Sequence, residues 1–361
     1  MTGGVYMAFF NDNIPIITDS MKNIHMFQWN SGNIYSYYFN LANKQTDRRI
    51  IAENTLEEFD VTVDSEDNIY LVYQDQSFNL ILLELKENRI KRTVITEEPL
   101  PVMYNLNIMM GGENIHIIYE VPLHDIENIY RICHQYKKED KWITNIVDDI
   151  KVKKILNPIQ LIKNKDTIMI GYYDLFNMEE EVCVKSFSLK EGKWDRKIQL
   201  TKDQKPKLYI DMIVLNEKIH LVYSEYYEGN LKIRYERFSL SENIANMEVR
   251  EDISNIENCS HPTLVYFEDK LWVEWIEYDN ITSRFSADEG DTWGSIYQWK
   301  ESKGKEVVRY KYKRYFNTDR HILNFSFGKI YPEISFIGFG NLQNTAEIPL
   351  KKNLHSWILP F

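Results

Sequence analysis

The sequence predicts an all-β fold, and three observations lead to this prediction. A short segment of alternating apolar residues recurs along the chain, polar turns separate the segments, and no helical pattern of useful length competes with them. Aromatic residues, which favour strands, make up 14% of the 361 residues, and 24 of them are tyrosines. The chain has no linker-like tract, so we expect one domain over residues 1–361.

The recurring segment is a strand that begins with Ile or Leu after a small polar turn. Successive anchors are 45 to 53 residues apart, and one further step falls near Arg320, which gives seven units. The six clear anchors are Ile24, Ile69, Ile115, Ile168, Ile219 and Leu271.

Each unit contains four strand-like segments. A strand and a turn precede the anchor strand, a third strand ends in a motif such as Phe187-Ser-Leu or Phe238-Ser-Leu, and a turn with a tryptophan such as Trp194 leads to the fourth. Four antiparallel strands in a repeat of about 40 to 50 residues are typical of a propeller blade. We therefore predict a seven-bladed β-propeller, with six blades as the alternative, and expect a strand around residues 4–10 to close the ring.

The turn of the sixth unit carries the most specific pattern of the chain. Ser286 and Asp288 are short polar residues that can hydrogen-bond nearby backbone N–H groups and hold a tight turn. Gly290 is expected where the backbone needs a positive φ, and Trp293, after Thr292, is expected to cover the hairpin. We therefore interpret Asp288 as a structural residue and not as a catalytic acid.

This turn resembles the Asp-box, or BNR repeat, of sialidase-like β-propellers. The resemblance implies a propeller with the box opposite the usual binding face, and it extends to non-catalytic binding and scaffold proteins. A sialidase of this kind is expected to carry a Phe-Arg-Ile-Pro-like segment near its start and three arginines for the substrate carboxylate. Here Arg48, Arg49 and Ile50 are followed by Ile51 instead of proline. The later arginines that fall in separate units are Arg234, Arg284 and Arg314.

Charge and composition restrict the partners. A net charge of −11 argues against a nucleic-acid ligand, which requires a basic face. No signal peptide and no bilayer-length apolar stretch is visible, and three cysteines at scattered positions favour a reduced, cytoplasmic setting, with a trimmed secreted form as the alternative. Cys259 and His261 lack further ligands at zinc spacing, and no nucleotide fingerprint is present, so we predict no metal and no cofactor.

The predicted binding residues lie at or near the ends of the second strands, where propeller loops gather at a central mouth. Carboxylates beside aromatic faces are typical of sugar sites and of protein interfaces, although solvated turn residues are the simpler interpretation. We expect a non-catalytic binding or scaffold propeller that recognises a glycan or a protein, and the alternative is a glycoside hydrolase using two rim carboxylates. The candidates are Asp75, Asp174, Glu225, Tyr226, Tyr227, Trp275, Glu277 and Tyr278.

Overall fold

The structure is a computed structural model that describes residues 14–86, 89–123, 128–139, 141–153, 156–241, 244–315, 321–330 and 333–351. The predicted closing strand around residues 4–10 lies outside these residues. Within them the chain has no α-helix, and its two helical segments are single 3-10 turns, Lys300–Ser302 and Leu342–Asn344. The prediction of an all-β protein is therefore confirmed.

Six sheets follow one another along the chain, and each is built from four consecutive antiparallel strands, except that two short strands stand in place of the fourth in sheet 4. The strands are β1 (Ile14–Thr18), β2 (Ile24–Asn30), β3 (Asn33–Phe39) and β4 (Thr46–Glu53) in sheet 1; β5 (Thr55–Val63), β6 (Ile69–Asp75), β7 (Leu80–Lys86) and β8 (Arg89–Val94) in sheet 2; β9 (Tyr104–Gly111), β10 (Asn114–Pro122), β11 (Ile129–Lys138) and β12 (Lys141–Lys151) in sheet 3; β13 (Gln160–Asn164), β14 (Thr167–Phe176), β15 (Glu179–Ser188), β16 (Lys193–Trp194) and β17 (Ile198–Gln199) in sheet 4; β18 (Lys207–Leu215), β19 (Lys218–Tyr227), β20 (Asn230–Ser241) and β21 (Ile244–Asp252) in sheet 5; and β22 (Ser260–Phe267), β23 (Lys270–Glu277), β24 (Asn280–Ser286) and β25 (Ile296–Trp299) in sheet 6.

Polar turns separate these strands as the alternation of the sequence requires. In the turns at residues 19–23, 64–68 and 75–79, the first residue is an aspartate whose Oδ1 accepts a hydrogen bond from the backbone N–H four positions later, at 2.8–2.9 Å. An aspartate side chain that binds its own backbone in this way stabilises a reversal of the chain. Each turn therefore fixes the register of the two strands that it connects.

The strands that follow sheet 6 do not form a separate seventh sheet within the described residues. β26 (Val308–Lys313) pairs in parallel with β1, and β28 (Phe325–Lys329) and β29 (Ser335–Ile337) continue sheet 1 beyond it. β27 (His321–Leu323) pairs with β22, and β30 (Thr345–Ile348) pairs with β25, so both extend sheet 6. The expected seventh unit is thus divided between the first and the last sheet.

Apolar clusters fill the spaces between neighbouring sheets. Phe27 of sheet 1 packs in one cluster with Phe59 and Leu71 of sheet 2, and corresponding clusters join sheets 2 and 3, 3 and 4, 4 and 5, and 5 and 6. Trp272 of sheet 6 shares a cluster with Phe327 of β28. Because apolar area is buried between them, neighbouring sheets stabilise each other.

Buried polar side chains connect the first strands of successive sheets. Asp60 Oδ2 on β5 accepts a hydrogen bond from the backbone N–H of Ile108 on β9, at 2.9 Å, and Gln160 on β13 donates to the carbonyl of Ile210 on β18, also at 2.9 Å. Asp211 on β18 accepts from the N–H of Leu264 on β22, at 2.7 Å. These bonds hold the first strands side by side.

β26 lies among these first strands. Its residues Arg309, Lys311 and Lys313 alternate along the strand and therefore share one face. The ammonium nitrogen of Lys311 lies 2.8 Å from Asp60 Oδ2 of sheet 2, and Arg309 donates to Thr263 Oγ1 of sheet 6 at 2.9 Å. We call the region between β26 and the first strands the hub, and it contains the candidate site described next.

Candidate functional site

A cavity of about 290 Å³ lies at the hub, beside the ends at which the first strands begin. Glu58, Asn105, Tyr209 and His261 line it from four different sheets, and Arg309 lines it from β26. Residues from five separate parts of the sequence therefore meet in one small space. Convergence of this kind, in a concave site with a few polar groups, is the usual form of a ligand site.

Three of the lining residues have an unusual backbone. Asn105, Tyr209 and His261 have φ values of 50°, 56° and 52°, although each is a non-glycine residue inside a strand. At each of them the pairing with the second strand of the sheet shifts, as in a β-bulge. A left-handed residue of this type costs roughly 1–3 kcal/mol, and such strain collects at functional sites. The bulges also re-aim these side chains relative to a regular strand.

One wall of the cavity is aromatic. The rings of Tyr209 and His261 stack with their centroids 4.1 Å apart and their planes inclined by 25°. Burial, together with the charge of Arg309, lowers the pKa of His261 to about 4, so its imidazole is neutral near pH 7. The pair therefore presents a flat, uncharged surface next to polar groups.

A second part of the lining is an amide and carboxyl network. The amide nitrogen of Asn105 donates to the carbonyl of Asn157, at 3.2 Å, and to the carboxyl of Glu120. Burial raises the pKa of Glu120 to about 8, so this carboxyl is largely protonated at neutral pH. Glu58 accepts a hydrogen bond from the backbone N–H of Leu106 at 3.2 Å, and burial raises its pKa as well. Glu58 is the one carboxylate among the described residues that line the cavity.

The third part of the lining is basic. Lys311 is held by Asp60 and by Asn107 Oδ1, which lies 2.6 Å from its ammonium nitrogen, and burial lowers its pKa to about 8. The guanidinium carbon of Arg309 lies 4.1 Å from the ring centroid of Phe325, in a cation–π contact. Hydrogen-bond donors with positive charge thus face a space that also has an aromatic wall.

The acidic residues predicted from the sequence occupy other positions. Asp75 braces the turn at 75–79 and pairs with Arg92 at 3.2 Å. Asp174 pairs with Lys197 at 2.7 Å. Glu225 is fully buried and contacts three cations, each at 3.2 Å; these are Lys205, Lys232 and Arg234. Each of these three acids is therefore engaged with cations close to it.

The remaining predicted residues are divided between core and surface. Trp275 is completely buried and donates its indole N–H to Glu277 at 3.0 Å. Tyr226 and Tyr278 are 53% and 64% exposed, and the ammonium nitrogen of Lys232 lies 4.5 Å from the ring centroid of Tyr227. None of the eight predicted residues is among the described residues that line the hub cavity. Their binding role stays a prediction.

The turn at residues 286–293 is held by its own side chains. Ser286 Oγ donates to Asp288 at 2.7 Å and accepts from the N–H of Gly290 at 2.7 Å, while Thr292 donates to Asp288 through both its backbone N–H and its hydroxyl. The hydrogen bonds from Thr292 and Ser286 lower the pKa of Asp288 to about 2. A carboxylate held so firmly in its charged form is unsuited to donate a proton in catalysis.

The three later arginines also have separate local partners. Arg234 pairs with Glu225, Arg284 donates to the carbonyl of Gly294 at 2.6 Å, and Arg314 donates to the carbonyl of His321. Arg309, which the sequence did not single out, is the arginine among the described residues that line the hub cavity.

A sequence signal for the hub exists, although it is weak. Five of the first strands carry a polar residue eight or nine positions before the anchor. These residues are Asp60, Asn107, Gln160, Asp211 and Thr263. The residue two positions before each of them lines the cavity, so the pattern would have located Glu58, Asn105, Tyr209 and His261.

Two further observations concern the described residues. In those ranges no cluster of three or more His, Cys, Asp or Glu side chains is placed to hold a metal ion, and Cys133, Cys183 and Cys259 are buried and free. The same part of the chain contains no helix of the length and apolar character needed to cross a membrane.

Comparison with known proteins gives a likeness in fold. No protein-family model matches the sequence, and no curated protein matches it. Among solved structures, an ulvan lyase of polysaccharide lyase family PL25 is similar with a TM-score of 0.60 at 9% identity, over 92% of this chain and 95% of the lyase. A PL25 ulvan lyase structure bound to -[GlcA(1-4)Rha3S]- gives 0.59 at the same identity and coverage. A mutant Aleuria aurantia lectin in complex with Fucalpha1-6GlcNAc gives 0.49 at 10% identity, over 80% of this chain and 96% of the lectin.

Proposed function

We propose that the six sheets are the blades of a single-domain, six-bladed β-propeller, the alternative that the sequence allows. The apolar clusters between successive sheets support this arrangement, because each blade of a propeller packs against its two neighbours. β26 and β28 lie between the last sheet and the first: β28 packs on sheet 6, and β26 pairs with β1. In this proposal the divided seventh unit closes the ring.

Within this propeller, the hub cavity is a binding site for one sugar residue, and the protein is a non-catalytic carbohydrate-binding protein. The observation that carries the proposal is the stacked pair of Tyr209 and His261 in the same cavity wall as the amide network of Asn105. Sugar rings place their C–H faces on aromatic rings and their hydroxyls on amide and charged groups, so a site for them needs both. A volume of about 290 Å³ is near the lower end of ligand pockets and suits one ring better than a long chain.

The likeness to the ulvan lyase structures concerns the fold alone, and the carbohydrate role that those polysaccharide lyases have is only proposed for this chain. Hydrolysis of a glycoside is less well supported than binding. It commonly requires two carboxyl groups about 5–10 Å apart on either side of the scissile bond. Of the described residues in the cavity wall, Glu58 alone carries a carboxyl group. We therefore retain glycoside hydrolysis as the alternative and binding as the proposal.

The test compares one hub tyrosine with one rim tyrosine. A glycan array first identifies a saccharide ligand, and calorimetry then measures its Kd with the wild-type chain and with the Tyr209→Ala and Tyr226→Ala variants. We expect Tyr209→Ala to weaken binding at least tenfold, because it removes half of the aromatic wall, and Tyr226→Ala to leave it unchanged. Loss of binding in Tyr226→Ala alone would move the site to the predicted rim, and release of free sugar by the wild type would favour the hydrolase.

The rim keeps a proposed role of its own. Tyr226 and Tyr278 expose more than half of their surface beside Glu225 and Glu277, and exposed tyrosines are common in protein interfaces. A protein ligand that docks at this rim is the alternative partner. It predicts that Tyr278→Ala weakens protein binding while the affinity for saccharides stays at the wild-type value.

A further inference from the structure

The three cationic side chains on one face of β26 do not all have an acidic partner. Lys311 and Lys313 both lie near Asp60 Oδ2, at 2.8 and 3.2 Å, so this carboxylate serves two cations. Arg309, the third residue on that face and the one nearest the start of the strand, makes no salt bridge with any carboxylate among the described residues. Arg309 and Lys311 both border the cavity.

The guanidinium of Arg309 is anchored but not saturated. Its Nε donates to Thr263 Oγ1 at 2.9 Å, and its plane lies near the ring of Phe325. These contacts fix its position, while Nη1 and Nη2 donate no hydrogen bond to any residue that the structure describes. An arginine held in this way presents two parallel N–H groups in a fixed fork, which matches the two oxygens of a carboxylate or of a sulfate ester.

The acids nearest to Arg309 do not act as its counter-ion. Asp211 and Glu274 are close enough to influence Arg309 electrostatically, but neither is within salt-bridge distance. Burial raises the pKa of Asp211 to about 6 and that of Glu274 well above its ordinary value, which weakens both as counter-ions. The carboxyl of Glu58, in the same wall, also has a pKa raised by burial. The acids around the cavity therefore carry less negative charge than their number suggests.

Arg309 is only partly buried, so its guanidinium has lost part of its hydration, and this loss is unfavourable unless another group replaces it. An anionic group on a ligand would supply the missing partner. We infer that the ligand of the hub cavity is an acidic sugar whose carboxylate or sulfate binds to the free Nη groups of Arg309, with Lys311 at its side, while the ring lies against Tyr209 and His261. This inference rests on the proposed function and specifies its substrate class.

Three matched ligands separate the charge from the sugar ring. Calorimetry on the full chain would use methyl β-D-glucuronide, methyl β-D-glucoside and methyl β-D-glucoside 6-sulfate. We expect wild type to bind at least one of the two anionic ligands tenfold or more tightly than the neutral glucoside, a factor equal to about 1.4 kcal/mol. The preferred anionic ligand identifies the group as a carboxylate or as a sulfate.

The variants locate the charge at Arg309. Arg309→Gln is expected to reduce the affinity for the anionic sugar to that for the glucoside, and Arg309→Lys, which keeps the charge but loses the fork, to give an intermediate value. Arg131→Gln is the control, because Arg131 pairs with Asp149 in sheet 3 and is not among the cavity residues. Melting curves verify that each variant is folded.

The outcomes distinguish the two proposals. Equal affinity of wild type for the glucoside and for both anionic sugars, unchanged in Arg309→Gln, would overturn the inference and leave carbohydrate binding at the hub intact. Binding of none of the three sugars, and of none on a glycan array, would overturn both. An anion preference that survives in both Arg309 variants would also contradict the inference, since the charge would then lie elsewhere.

Discussion

Asp60 binds two cations of β26 at the hub. It is completely buried, its Oδ2 lies 2.8 Å from Lys311 and 3.2 Å from Lys313, and it accepts the N–H of Ile108. Asp60→Asn keeps the size and can still accept the backbone hydrogen bond, but it leaves two cations without their shared anion. Breaking a buried ion pair from one side costs about 3–5 kcal/mol. Since the low pKa of Lys311 allows it to lose its proton, we expect a loss of about 3 kcal/mol.

The assay is urea unfolding followed by tryptophan fluorescence, with the free energy of unfolding compared between variant and wild type. Glu217→Gln is the matched control, because Glu217 pairs with Lys165 at 2.7 Å on the surface, where both side chains are more than 70% exposed. We expect this control to unfold like wild type. If Asp60→Asn lost no more stability than Glu217→Gln, β26 would not be held at the hub as described.

The remaining predictions concern the braced turn and a histidine pair. Gly290→Ala should lower the melting temperature far more than Gly112→Ala. Both glycines have positive φ, but of the two only Gly290 would place a Cβ against another residue, the ring and hydroxyl of Tyr235. Equal shifts in melting temperature would contradict this. His116 Nδ1 and His134 Nε2 are hydrogen-bonded at 3.0 Å, and burial lowers their pKa values to about 4 and about 3. The histidines of the unfolded chain take up protons below about pH 6.5, whereas those of the folded chain do so only near pH 3–4. The contribution of the pair to the free energy of unfolding should therefore be full above about pH 6.5 and fall progressively towards pH 3–4. His134→Phe should flatten this dependence, and an unchanged pH profile would exclude the pair as its cause.

The regular part of the fold could be predicted from local chemistry. Strand alternation and the Asp-led turns at 64–68 and 75–79 are properties of neighbouring residues, and they predict the four-strand units correctly. The divided seventh unit was not predictable in this way. Whether β26 pairs with a neighbour or with β1, nearly three hundred residues earlier, depends on which sheet edge is free, and the spacing of anchors contains no information about that edge.

The site required information that spacing does not give. Glu225 looks like a free rim acid in the sequence, yet Lys232 and Arg234 on the adjacent strand of its own sheet neutralise it. Tyr209 and His261 look like ordinary strand residues, and their positive φ values arise from bulges that only the paired strands define. The role of Arg309 depends on the two cations beside it on β26, Lys311 and Lys313, because both already pair with Asp60.

A crystal structure of the protein soaked with the preferred acidic sugar would test the hub site most directly. We predict density for one sugar ring that lies between the stacked Tyr209–His261 pair on one side and the guanidinium of Arg309 on the other. The anionic group of the sugar is expected to be bound by both Nη atoms. Density confined to the rim beside Tyr226 and Tyr278, with an empty hub, would contradict the assignment of the binding site.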